Sequence, residues 1–173
     1  MSKSYRVKLE KEHLIFSAAH FITFAGNICE RIHGHNYRVF AEVEAPLDEN
    51  QYVIDFIALR DTLKEITESL DHHVLLPTTH EQIIVTPDNK EVLVTFEDRR
   101  WIFPLGDCVL LPLANTTAEL IADYIATELL KRFKAKGITQ LDELVVGVDE
   151  NEGQWGVVTR TVDDLSVEGV QDH

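Results

Sequence analysis

The stretch C-E-R-I-H-G-H-N-Y, residues 29–37, runs directly into R-V-F-A-E-V-E-A, residues 38–45. From residue 37 apolar and polar side chains alternate. Tyr37, Val39, Ala41 and Val43 fall on one side, and Arg38, Phe40, Glu42 and Glu44 on the other. A period of two predicts an antiparallel strand with one face on a core. His33 and His35 lead into this strand. Two positions apart on a strand, they point to the same side, roughly 6.6 Å apart along the chain, which suits two imidazoles converging on one metal ion. Gly34 between them permits close backbone approach.

Upstream, residues 5–17 also alternate (Tyr5, Val7, Leu9, then Leu14, Ile15, Phe16) and predict a strand that closes on His20 in F-S-A-A-H. Histidine two apart from histidine is a weak signal by itself, found in cupins, carbonic anhydrases and amidohydrolases. His20, ending the neighbouring strand of the same hairpin, strengthens it. Three neutral imidazoles would bind zinc tetrahedrally and leave a fourth position open, as catalytic rather than structural sites do. His13 reads as solvated and stays outside the group. Residues 21–32 are irregular, with a turn at Gly26 and Asn27. Cys29 lies between the turn and the histidines, followed by Glu30 and Arg31. A thiol beside a divalent cation or an arginine has a lowered pKa and can move protons near neutral pH. Cys108 lacks such a setting and reads as structural.

Downstream of a loop at 46–50, Asp55 is placed to cap a helix whose apolar stripe is Phe56, Leu59, Leu63, Ile66 and Leu70. It runs out near Asp71-His72-His73. Asp71 and His72 form a candidate acid–base pair, the carboxylate orienting the imidazole, with His73 to spare. Residues 77–112 differ in character, with two β-rich runs around Pro87-Asp88-Asn89 that predict an inserted hairpin. A second helix opens at 115–119, where Thr116 and Glu119 fit a capping box. Its stripe is Leu120, Ile121, Tyr124, Ile125, Leu129 and Phe133, and Gly137 fits the residue after its end. Residues 141–150 predict a third core strand, and a fourth follows Gly153-Gln154-Trp155. Glu150 reads either as a strand-end carboxylate in water or as one accepting two parallel N–H bonds from a planar heterocycle. The tail after Asp163 is acidic.

The order β-β-α-(hairpin)-α-β-β predicts an α+β fold, a four-stranded antiparallel sheet with two helices on one face. At 173 residues the chain suits a single domain, 1–173. A net charge of −14 disfavours binding to a nucleic-acid backbone. Two distant cysteines make no disulfide framework. The N-terminus has no apolar signal region, and no apolar run approaches a membrane span, so the cytoplasm is the expected compartment.

Taken together, F-S-A-A-H (16–20), C-E-R-I-H-G-H-N-Y (29–37), V-I-D-F (53–56), L-D-H-H-V-L-L (70–76), N-T-T-A-E-L-I-A (115–122) and V-G-V-D-E-N (146–151) resemble, in this order, the 6-pyruvoyl-tetrahydropterin synthase / 6-carboxy-tetrahydropterin synthase family. The resemblance implies the tunnelling fold, usually assembled as a hexamer of two stacked trimers with pockets between subunits. It implies zinc held by His20, His33 and His35, proton transfer by Cys29 with Asp71 and His72, and a pterin ring anchored by Glu150 near Thr116 and Thr117. The implied substrate is 7,8-dihydroneopterin triphosphate. The C-x3-H-G-H spacing resembles the branch that makes 6-carboxy-tetrahydropterin for queuosine and other deazapurines. Pyruvoyl pterin formation is the alternative within the family. Glu30 also creates E-x2-H-G-H, which resembles the folate-linked hydroxymethyl-pterin branch, so a dual role is open. A pterin- or purine-binding protein that no longer catalyses is the alternative of another class. The chain departs from the family pattern in the insertion at 77–112, in Phe21 where a basic residue is common, and in Asn151 where threonine usually follows the glutamate.

Overall fold

The computed structural model describes residues 3–26 and 28–161. Asn27 of the expected turn and the acidic tail after Asp163 lie outside them. Strand β1 (Tyr5–His20) is followed by a two-residue pair, β2 (Thr23–Phe24) and β3 (Ile28–Cys29), and then by β4 (His33–Ala45). β1 and β4 pair antiparallel along most of their length, with His20 opposite His33 and Tyr5 opposite Ala45. The buried residues of β4 are Tyr37, Val39, Ala41, Val43 and Ala45, the first four as the alternation predicts.

The apolar residues of β1 change parity along the strand: Leu9 is buried, then Leu14, Phe16 and Ala18. A strand can change parity only through a bulge. One is present between Glu10 and Ile15, where β1 spends five residue steps and β4, from Phe40 to Arg38, spends two. Ile15, between Leu14 and Phe16, consequently points outward. The bulge is what places His20 on the same face as His33 and His35.

Helix α1 (Phe56–Leu70) is capped by Asp55, whose carboxylate accepts from the Ile57 N–H at 2.8 Å. It leads to β5 (His73–Pro77). Next come β6 (Ile84–Pro87), β7 (Glu91–Phe96), β8 (Arg99–Pro104), a short 3-10 turn and β9 (Cys108–Leu111). Helix α2 (Ala118–Ala135), β10 (Glu143–Asp149) and β11 (Trp155–Thr161) complete the described chain. Both helices cover the inner face of the main sheet in one core that contains Leu59, Leu63, Ile66, Ile121, Ile125, Leu129 and Phe133.

The sheet is larger than the expected four strands. Its order is β11-β10-β4-β1-β5-β9, the first four antiparallel and the last two joined in parallel. The added strands are short and pack against a core on both sides. Adjacent residues Leu75 and Leu76 of β5 belong to different cores, so no alternation marks the strand. The insertion is a three-stranded meander, β6-β7-β8, rather than a hairpin. It has its own core of Ile83, Val92, Val94 and Phe96, closed by Phe21 and Leu76.

Thr117, not Thr116, is the cap of α2: its hydroxyl accepts from the Leu120 N–H at 3.4 Å. At the other end Gly137 takes a φ of +76°, and the Gly137 and Ile138 N–H groups donate to the Lys134 and Phe133 carbonyls. That closes the helix in the manner a left-handed glycine allows. Gly156 lets β11 lie against the start of α2, since a Cβ there would fall 2.4 Å from the Glu119 nitrogen. No helix among the described residues is long and apolar enough to cross a membrane.

Candidate metal centre and active site

The ladder between β1 and β4 sets His20 opposite His33 and Ala18 opposite His35. The three imidazoles therefore gather on the inner face at one end of the sheet. Ring centroids are 4.8 Å apart for His20–His33 and for His33–His35, and 5.2 Å for His20–His35. The Nδ1 atoms of His20 and His33 lie 2.8 and 2.9 Å from the carbonyls of Thr116 and Arg31. A carbonyl only accepts, so each Nδ1 carries a proton, which leaves the lone pair of the neutral ring on Nε2. Burial pushes the His20 pKa down to about 4, so this ring is neutral at physiological pH. The Nε2 atoms of His20 and His35 are buried without a hydrogen-bond partner.

Glu150, just past β10, completes the group. Its Oε1 stands 3.3 Å from Nε2 of His35 without the alignment of a hydrogen bond. One ligand atom from each of His20, His33, His35 and Glu150 lies within 4.8 Å of the others. Buried, unpartnered lone pairs facing one another beside a carboxylate are the signature of residues arranged for a cation, and this donor set fits a metal ion.

Glu150 owes its position to Asp149, which sequence reasoning passed over. The Asp149 carboxylate is buried and accepts from Arg38 and from the N–H groups of Asn151, Gly153 and Gln154. It ties the 150–154 turn to the sheet, and the gain of hydrogen bonds outweighs burial to hold its pKa below the usual carboxylate value. Aspartate followed by a Gly-containing turn was the available signal. Tyr37 was likewise read only as core. It stacks on Phe16 at 4.7 Å, yet its hydroxyl is buried without a partner and its ring stands edge-on to His20 and His35 at 5.8 and 5.5 Å.

Cys29 and Glu30 point opposite ways, as neighbours on an extended chain do. Cys29 packs against the meander core. Its thiol pKa is raised, chiefly by burial, against the expectation that neighbouring charge would lower it; Arg99 opposes the rise, and Glu30 and Glu97 add to it. The Glu30 carboxylate turns toward the imidazoles, 3.9 Å from Nδ1 of His33, and accepts from the Ile22 N–H at 3.1 Å.

The comparisons with known proteins decide the family. Residues 8–161 match the family model described as 6-pyruvoyl tetrahydropterin synthase. The chain belongs to the 6-pyruvoyl tetrahydropterin synthase family. It is 34% identical over 142 residues to a Methanocaldococcus jannaschii protein provisionally named a 6-carboxy-5,6,7,8-tetrahydropterin synthase, covering 82% of this chain and 86% of the relative. A Pyrococcus abyssi protein with the same provisional name is 31% identical over 148 residues, covering 85% and 87%. Among solved structures, the 6-pyruvoyltetrahydropterin synthase of Plasmodium vivax superposes with a TM-score of 0.86 at 29% identity, covering 93% of this chain and all of that one. That structure carries alanine in place of a glutamate described as a catalytic residue. The α+β tunnelling fold is thereby shown, and with it lyase chemistry on a pterin side chain.

Other residues expected to serve the pterin site lie as follows. Asp71 and His72 do meet: His72 Nδ1 is 2.8 Å from the Asp71 carboxylate, because His72 takes a left-handed φ of +59°. Asp71 also accepts from the Ser17 N–H at 2.7 Å, which holds its pKa low. The His72 side chain is 82% exposed, and neither residue bonds to the imidazole group. His72 borders an open cleft of about 460 Å³ whose lining also includes Ser17, Ala19, Asn36, His73, Asp107 and, from the metal group, His35. Ser17, Ala19 and Asn36 alternate with the residues that face the helices, so this cleft opens on the other side of the sheet. Thr116 is buried; its hydroxyl donates to the Phe21 carbonyl at 3.3 Å while its own carbonyl holds His20. The Thr117 hydroxyl is engaged as the helix cap. Phe21, the departure from the family pattern, stacks on Trp101 at 4.7 Å and so belongs to the meander core.

Proposed function

We infer that the protein is a zinc-dependent lyase acting on the side chain of 7,8-dihydroneopterin triphosphate, giving 6-carboxy-5,6,7,8-tetrahydropterin for queuosine or another deazapurine. The observation that carries this reading is the pair of buried, unpartnered Nε2 atoms of His20 and His35, with His33 and Glu150 within reach of both. Imidazole-rich donor sets suit zinc, and the names of the archaeal relatives support the 6-carboxy product. His20, His33 and His35 would hold the ion. Zinc, when bound, polarises the side-chain hydroxyls and acidifies the carbons beside them.

This chain's own residues would do the rest. Glu150 would accept from the N–H edge of the pterin ring, with Thr116 acting on the site through His20 and Thr117 by fixing the start of α2. Cys29 and Glu30 would move the protons. Asp71 and His72 would do so from a neighbouring copy, since their cleft opens on the far face of the sheet. The protein would therefore work as a homo-oligomer, with a hexamer of two trimers as the proposed form, and in the cytoplasm. The direction of the Glu30 carboxylate favours a second reading. It turns to the imidazoles while the thiol turns away, and the Plasmodium vivax enzyme also uses a catalytic glutamate. Pyruvoyl or folate-linked hydroxymethyl pterin would then be the product.

Mass spectrometry of products from dihydroneopterin triphosphate, with zinc-loaded protein, separates these outcomes. The 6-carboxy pterin is expected. Ring binding without turnover would mark a binding protein instead and end the lyase reading.

A further inference from the structure

The β6-β7-β8 meander within 77–112 has no part in the chemistry above, yet it touches the segment that does. Its β7–β8 hairpin turns through Glu97 and Asp98, with Glu97 at a φ of +52°, and delivers Arg99 at the base of the turn. The Arg99 guanidinium lies over the Trp101 ring, 4.6 Å from its centroid. One of its nitrogens donates to the Cys29 carbonyl at 2.9 Å and another to the Glu30 carbonyl at 3.1 Å. A planar fork can span two successive carbonyls; an ammonium group cannot reproduce that geometry.

The clamped segment has little else to hold it. β3 is two residues long and pairs only with the two residues of β2. Beyond it, the Glu30 N–H donates to the Ile22 carbonyl at 2.9 Å, the Glu30 carboxylate accepts from the Ile22 N–H at 3.1 Å, the Cys29 thiol donates to the Glu30 carbonyl at 3.5 Å, and the ladder resumes only at His33. Over this stretch the chain must keep the thiol on one side and the carboxylate on the other. A slip of one residue along the chain would exchange them.

We propose that Arg99 is a positioning residue: by gripping the carbonyls of Cys29 and Glu30 it keeps the Glu30 carboxylate on the imidazoles and the Cys29 thiol in its own slot, and the meander is the arm that carries it. The proposal rests on the reading that these two side chains move protons. Arg99 is also the cation that offsets burial, Glu30 and Glu97 at the thiol, so its charge has a separate, measurable effect.

The test uses the full-length, zinc-loaded protein with Arg99→Lys and Arg99→Gln. Zinc per chain should stay at the wild-type value in both. kcat should fall by about 10- to 100-fold in Arg99→Gln and less in Arg99→Lys, with KM changing by less than about 2-fold, the pattern of misplaced rather than missing groups. In a Cys108→Ser background, the pH midpoint for alkylation of Cys29 by iodoacetamide should move up in Arg99→Gln and stay near wild type in Arg99→Lys. Wild-type kcat in Arg99→Gln would overturn the proposal, whatever the alkylation midpoint. Should Arg99→Gln not fold, the kcat of Arg99→Lys decides alone, wild-type turnover counting against the fork. A wild-type protein that forms no pterin product would defeat the functional reading instead, and the alkylation profile would still report on Arg99.

Discussion

His20 shows how much one buried ring can govern. Its folded pKa of about 4 lies below the ordinary 6.5, so the unfolded chain takes up the proton first as pH falls. The contribution of His20 to the stability of the metal-free protein should therefore be constant above about pH 6.5 and decline between 6.5 and 4. The loss should be at most about 3 kcal/mol, read from urea midpoints across that window. His33→Ala should lower bound zinc, and elemental analysis giving an unchanged stoichiometry would count against its place in the donor set. Tyr37 makes a contrasting case. Its hydroxyl has no partner, so Tyr37→Phe removes no hydrogen bond and keeps the stack on Phe16. The metal-free melting temperature should stay level or rise, because a buried, unsatisfied hydroxyl costs about 1–3 kcal/mol. A clear drop would mean the hydroxyl is already satisfied in the folded chain.

At the scale of elements, the contact between β11 and α2 is the tightest to test. A methyl at Gly156 would meet backbone atoms of Ala118 and Glu119 at 2.5 and 2.4 Å, and backbone cannot swing aside. Gly156→Ala should destabilise by about 1–3 kcal/mol or more in denaturant titration. It should also loosen the start of α2, whose preceding Thr116 carbonyl orients His20. Elements with one wet face were legible from sequence, because alternation records burial on a single side: β4, β10 and both helices fall where their patterns lie. β5 and β9 left no such record, since each is short and covered on both sides. The β1 bulge was written in the shift from Leu9 to Leu14, but a parity change is easily taken for a frayed pattern. At the site, the histidines were legible because they share a strand face. The opposed directions of Cys29 and Glu30 were not, because they depend on where a short, ladder-free segment leaves β3. The Asp149 turn was missed because its aspartate bonds to backbone groups, which sequence does not display.

For the molecule as a whole, zinc should act as a ligand of the folded state alone. Chelation should lower the melting temperature and added zinc should restore it, with a rise of the order of RT ln(1 + [Zn]/Kd) in free energy. Phe24, Ile28 and Ile32 are exposed around the metal end of the chain. They leave apolar surface that a second copy would cover. Sedimentation should accordingly give a mass several times the 19.7 kDa of one chain. Leu75 and Leu76 set the limits of dismantling this protein. Back to back on one strand, they weld the two cores together, so heating should show one calorimetric transition rather than two. Trimming away the meander to obtain a minimal catalyst would strip Leu76 and Phe21 of their cover, and the shortened chain should come out of solution before it could turn over.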